Sequence, residues 1–197
     1  MKLRFKNILP AAAIALSLTG LSSCTGDLDV ENINPQQVSK FDQNAIFNKV
    51  YANMVLTGQT GPDGNKDIQD IDEGVSNMIR QIWNANELTT DEAECTWGDQ
   101  GLPEYNHNTW GDSHPMLQAL YYRLMFGVTV SNFFLTQTSS STDATTHVER
   151  AEVRFMRALY YYYMMDLYGN PPMATTMDEP KPKQATRLEA FNFVESE

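Results

Sequence analysis

THVERAEVRFMRALYYYYMMDL, residues 146–167, is the stretch that decides the fold. Apolar residues recur there at Val148, Ala151, Phe155, Ala158, Tyr162 and Met165. Spacings of three and four are the period of one helix face. Gly169, Asn170, Pro171 and Pro172 follow at once and stop the helix. The stripe predicts burial of Phe155, so the segment reads as a structural keystone, and truncating Phe155 is expected to open a core cavity. Tyr160 to Tyr163, with Tyr121 and Tyr122, fall at packing spacing and read as core or interhelix residues.

Outward from this helix the pattern repeats. Met116 to Phe134 is a second long apolar helix, with Ser113 as its expected cap and Pro115 just inside. A Ser/Thr linker, Thr136 to Thr146, joins the two. Asp42 to Leu56 carries Ala45, Ile46, Val50 and Met54 at helical spacing, widened by Phe47 and Tyr51, and Glu73 to Trp83 places Val75, Met78, Ile79 and Ile82 on one side. Thr57 to Asp67 is a Gly/Pro/Asp/Asn loop. Asn84 to Thr109 is polar and irregular, yet holds Trp97, Tyr105 and His107. Thr186 with Glu189 makes a capping box for a last helix that runs to Glu197. No stretch sustains strand alternation, so the expected fold is mainly α. Long helices with alanines and tyrosines interdigitating predict TPR-like helical hairpins with long irregular loops. A capping box eleven residues before the terminus predicts that the chain stops inside a longer architecture.

The N-terminus supplies an address. Lys2, Arg4 and Lys6 precede an apolar run from Ile8 to Leu21, the form of a secretory signal. It ends in Leu21-Ser22-Ser23-Cys24, which resembles a bacterial lipoprotein lipobox, with residues 1–23 removed and Cys24 acylated. Residues 24–41 read as a polar tether, and 42–197 as the helical domain. Loss of the three N-terminal cations takes the formal charge from −11 to −14. Such an acidic chain, with Lys and Arg few and dispersed, does not suit nucleic acid. No apolar run reaches the ~18 residues of a membrane-spanning helix. Two cysteines, Cys24 and Cys95, make no disulfide framework.

Catalytic signatures are missing. The sequence contains no G-x-S-x-G, H-E-x-x-H, P-loop or G-x-G-x-x-G. His107, His114 and His147 have no metal-ligand spacing. Asp63-Gly64-Asn65-Lys66-Asp67 copies half an EF-hand loop, but Ile68 stands where the glycine belongs and Gly74 where the bidentate Glu belongs, so it reads as a solvated turn. Asp91, Glu92 and Glu94 crowd together without a committed acid/base pairing. No enzyme activity, cofactor or metal is expected. Trp97 stands apart from the helical aromatics, on a loop between Cys95 and Gly98-Asp99-Gln100. A rigid amphipathic ring flanked by amide and carboxylate groups suits stacking on a sugar face while its neighbours bond hydroxyls.

Further motifs carry a resemblance. Asp72-Glu73-Gly74, Arg80, Asn86-Glu87-Leu88-Thr89-Thr90-Asp91-Glu92, Arg150-Ala151-Glu152-Val153-Arg154-Phe155-Met156-Arg157-Ala158-Leu159-Tyr160 and Asp166-Leu167-Tyr168-Gly169 together resemble the SusD-like (RagB/SusD) outer-membrane starch-binding lipoproteins. The lipobox, Thr57-Gly58-Gln59 and Asn132-Phe133-Phe134-Leu135 fit as well. The resemblance implies the N-terminal part of a longer SusD-like helical fold, lipid-anchored at the outer membrane and facing outward. It implies capture, without catalysis, of starch or malto-oligosaccharides for a SusC-type TonB-dependent transporter. On this segment the family's glycan-binding pattern maps to Asp72, Arg80, Trp97 and Gln100. Where the starch-binding form has two tryptophans one residue apart, this chain has Cys95 and Trp97, and where it has asparagine, Gln100. The rival reading is a structural or protein-interaction lipoprotein of the transporter complex. A third keeps the role with another glycan or a peptide. Exposure of Trp97 on a concave surface favours sugar binding, and burial favours a structural role.

Overall fold

The computed structural model describes residues 41–58, 66–68, 75–178 and 181–197. The signal, the lipobox with Cys24, the tether apart from Phe41, and Asp72 lie outside them. Among the described residues the architecture is all helical: α1 (Gln43–Ala52), α2 (Met78–Glu87), α3 (Leu102–Asn106), α4 (Pro115–Gln137), α5 (Ala144–Tyr168) and α6 (Arg187–Ser196). The only extended pairings there are isolated bridges, Gly58 with Lys66 and Pro172 with Gln184.

The two long helices form the frame. α4 and α5 are antiparallel, because the start of one meets the end of the other: Tyr168 donates its hydroxyl to the Leu117 carbonyl at 2.6 Å, and Arg150 donates to the Leu135 carbonyl at 2.6 Å. Gly127 sits mid-helix in α4, where glycine costs about 1 kcal/mol against alanine. A Cβ there would lie 2.6 Å from the Tyr160 ring and from the Asn53 side chain, so the missing side chain lets α1 and α5 approach closely. Tyr160, fully buried at that crossing, donates to the Val50 carbonyl at 2.5 Å. α1 rests on α4 and α5, α2 on α4, and α6 on α5.

The face of α5 differs from the one the spacing predicts. Val153, Met156, Arg157, Tyr160, Tyr161, Met164 and Met165 are buried, whereas Val148 and Ala151 are exposed and Phe155 is 66% exposed. Phe155 is therefore not the keystone of the core. The helix carries apolar residues all round, and a rotation of one residue, about 100°, selects between two stripes. The observed stripe puts Tyr160 against Gly127, where there is room for its ring. Of the tyrosines, Tyr160 and Tyr161 are core, Tyr163 and Tyr121 are half-buried, and Tyr162 and Tyr122 are exposed.

Three boundaries move. α2 starts at Met78 and runs to Glu87, instead of spanning 73–83: Asn77 caps it by accepting from the Arg80 amide at 2.9 Å. Ser76 just before it is gripped by Arg123, so the described helix cannot begin earlier. The cap of α4 is His114, not Ser113. Its Nε2 donates to the Gly101 carbonyl at 2.9 Å, which leaves Nδ1 to accept from the Leu117 amide at 3.2 Å. The supposed irregular stretch 84–109 holds the last turn of α2 and the short α3, and the linker 136–146 keeps only 138–143 outside helices. α3 opens at Gly101, whose φ of +103° disfavours any other residue. Its Tyr105 packs with Leu88, Leu102 and Met116 in a satellite core beneath the Trp97 loop.

A buried ion cluster ties α1, α4 and the approach to α2. Arg123, the one charged residue of α4, is 0% exposed. Its guanidinium donates to the Ser76 carbonyl and hydroxyl, to Asn53 Oδ1 and to Asp67 Oδ2, all at 2.9 Å, and to the Thr57 carbonyl at 3.1 Å. Lys49 meets the same Asp67 carboxylate at 2.8 Å. Asp67 is thus a buried, doubly paired carboxylate; Asp63, Gly64 and Asn65 of the same motif lie outside the described residues. Removing one partner of such a cluster leaves an uncompensated buried charge.

Candidate functional site

The loop after α2 carries the candidate. Leu88 ends α2 in the satellite core, and the chain then runs exposed through Asp91 and Glu92 to Trp97, Gly98, Asp99 and Gln100. The loop is held from below. Asn106 of α3 donates to the Cys95 carbonyl at 2.8 Å and its Oδ1 accepts from the Cys95 amide at 3.4 Å. Cys95, half-buried and unpaired, packs against the satellite core and so fixes the strand on which Trp97 stands. A thiol is small enough to sit there, with the larger aromatic two residues on turned outward.

Trp97 is 64% exposed. The Arg80 guanidinium lies over its indole at 5.9 Å from the ring centroid, a cation–π contact that steadies one side of the ring. Arg80 also reaches Asp99 at 4.0 Å, a partly solvated pair of little energetic weight but one that sets direction. Gln100 is exposed three residues on, offering an amide donor and acceptor. Three of the four expected residues, Arg80, Trp97 and Gln100, therefore fall on the same α2–loop region, and Arg80 touches Trp97. Asp72 lies outside the described residues. Asp99, the carboxylate beside Trp97 in the sequence, joins the group through Arg80.

Beside this patch lies a cavity of about 690 Å³ lined by Thr89 to Glu94 and Asn106 to Asn108. Hydroxyls, carboxylates and amides dominate it. Asp91, Glu92 and Glu94 are all exposed there, where water competes for every hydrogen bond. His107 donates from Nδ1 to the Pro103 carbonyl at 2.6 Å, His114 is spent as a helix cap, and His147 is exposed on the first turn of α5. Among the described residues no group of three or more His, Cys, Asp or Glu is placed to hold a metal ion. None of the described helices is long and apolar enough to cross a membrane.

The arginines of the 150–160 motif are structural. Arg150 closes the α4–α5 turn through Leu135 and Thr138, and Arg157 joins Asn132 at 2.7 Å, the Thr175 carbonyl at 3.2 Å and the Glu197 carboxylate. Arg154 adds a second contact to Glu197 at 3.1 Å. These pin α6 to α5.

Comparison with known proteins bears on the family and the fold. A SusD-like family model, described as starch-binding and associating with the outer membrane, matches residues 28–195. The starch-binding protein SusD of Bacteroides thetaiotaomicron is 39% identical over 199 aligned residues, which take in 100% of this chain and 36% of that protein. The crystal structure of a SusD superfamily protein from Parabacteroides distasonis superposes with a TM-score of 0.57 at 18% identity, covering 78% of this chain and 32% of that one. At that identity the structural likeness speaks for the fold alone. The chain spans about a third of the length of both relatives.

Proposed function

The chain belongs to the SusD-like family, a family of binding proteins rather than enzymes, and from that premise we propose that it captures starch or malto-oligosaccharides at the outer membrane surface for a SusC-type TonB-dependent transporter. In this reading Cys24 carries the lipid that holds it there. Two acyl chains at ~0.8 kcal/mol per buried methylene give firm attachment.

The observation that carries the proposal is the exposed indole of Trp97 with Arg80 over its ring and Asp99 and Gln100 beside it. A pyranose is amphipathic: its C–H face stacks on an aromatic plane, and its equatorial hydroxyls seek amides, carboxylates and guanidinium groups. The loop presents both kinds of surface to water at once. A structural role gives no reason to leave a tryptophan 64% exposed on a loop anchored from beneath by Asn106 and Cys95. Asp72, from the family pattern, is assigned to the same site.

The test is affinity electrophoresis of the full-length protein in amylopectin gels, with calorimetric melting of each variant. Trp97→Ala should weaken binding by about 1–3 kcal/mol, by analogy with base stacking on aromatics, roughly a five- to 150-fold loss. Its melting temperature should hardly move. Gln100→Ala removes hydrogen bonds that compete with water and should cost about 0.5–1.5 kcal/mol. Full retardation of the Trp97 variant would remove the site assignment.

A further inference from the structure

A second aromatic groove shares α2 with the Trp97 site. It has a volume of about 450 Å³ and lies between α2 and the C-terminal half of α5. Trp83, 50% exposed, and Tyr162, 45% exposed, belong to its walls, and Met54 and Ile82 to its lining. Asn86 and Glu87 add an amide and a carboxylate. The Asn86 amide nitrogen is already bonded to the Ile82 carbonyl at 2.8 Å, which leaves its oxygen as an acceptor. The volume falls within the ~300–1,000 Å³ of small-ligand sites.

Helix geometry connects the two places. Arg80, Trp83 and Glu87 stand at i, i+3 and i+7 on α2 and so lie along one face. At 1.5 Å rise per residue, Arg80 and Glu87 are about 10 Å apart along the axis. A single sugar ring does not span that distance, but an oligosaccharide does. Resting on the function proposed above, we infer that the glycan surface extends from Trp97 and Arg80 along α2 into this groove, with Trp83 and Tyr162 as a second stacking platform for the distal residues of a longer chain. The groove repeats the components of the first site: exposed aromatic rings, a carboxylate and an amide. Neither ring is enclosed by the core: Trp83 on α2 and Tyr162 on α5 are both about half exposed.

Calorimetric titration of the full-length protein with maltotriose and with a malto-oligosaccharide of ten or more units tests this, on the wild type and on Trp83→Ala, Tyr162→Ala and Trp97→Ala. Trp83→Ala and Tyr162→Ala should leave maltotriose binding unchanged and weaken the long ligand by about tenfold, the scale of one lost aromatic stack, with melting unaltered. Trp97→Ala should weaken both ligands. Wild-type affinity of the Trp83 and Tyr162 variants for the long ligand overturns the inference and leaves the Trp97 site standing. So does retained sugar binding with loss of a co-purifying outer-membrane protein, which makes the groove a protein-docking surface. Unchanged binding in Trp97→Ala instead overturns the reading on which the inference rests.

Discussion

Two arginines of this chain, 43 residues apart, do opposite work. Arg123 is sealed inside, with its guanidinium committed to Ser76, Asn53, Asp67 and Thr57. Arg80 lies at the surface, over the Trp97 ring and at 4.0 Å from Asp99. In the first environment water is absent, every donor needs a partner, and the loss of one leaves a charge stranded in low dielectric. In the second, water can replace any partner, so the local geometry adds little to stability and is left for a ligand to use. Stability resides where polar groups are buried, and the candidate site where they meet water.

The contrast can be broken at its strong end first. Arg123→Met should cost about 3–5 kcal/mol, because Asn53 Oδ1 and the Ser76 and Thr57 carbonyls lose their buried donor and Asp67 loses one of its two cations. Chemical denaturation measures it; a loss under 1 kcal/mol would mean the cluster opens to water. Gly127→Ala is the next largest, at about 1–3 kcal/mol of overpacking, since the new methyl meets the Tyr160 ring and Asn53. A compensating Tyr160→Phe does not relieve that clash, which a double-mutant cycle would show.

The alkaline limb probes the same crossing. Burial pushes the Tyr160 phenol up from 10.0 to about 12, against smaller opposing effects of Asn53 and Arg123. A group whose folded pKa is raised contributes stability that is intact below pH 10 and lost as pH climbs toward about 12. Stability should therefore fall across that window, and less steeply in Tyr160→Phe. An identical slope in that variant would remove Tyr160 from the alkaline transition. At the weak end, Phe155→Ala should change stability by no more than about 0.5 kcal/mol, because the ring is 66% exposed. A loss of several kcal/mol would restore the original helix face.

Local signals carried far. The Thr186–Glu189 capping box appears as expected, with Thr186 accepting from the Glu189 amide at 3.3 Å and Glu189 accepting back at 2.7 Å. The all-helical class and the long α4–α5 pair were legible from spacing and from the Gly169–Pro172 stop. Arg123 is the lone charge in an apolar helix, and spacing names none of its partners. Its partners Asn53 and Thr57 lie 70 and 66 residues away. The Trp83–Tyr162 groove was invisible for the same reason, because its two walls come from α2 and α5.

What residue order alone determined is what neighbours within a few positions determine: helix period, caps, stops, and the family to which these motifs belong. Backbone hydrogen bonding and side-chain spacing are local, so they can be read along the chain. The tertiary structure alone decided which stripe of α5 is buried, which residue caps α4 and which ring Arg80 covers. Burial depends on the surface that a distant segment brings. Gly127 leaves room for the Tyr160 ring, and with Tyr160 in the core Phe155 faces water.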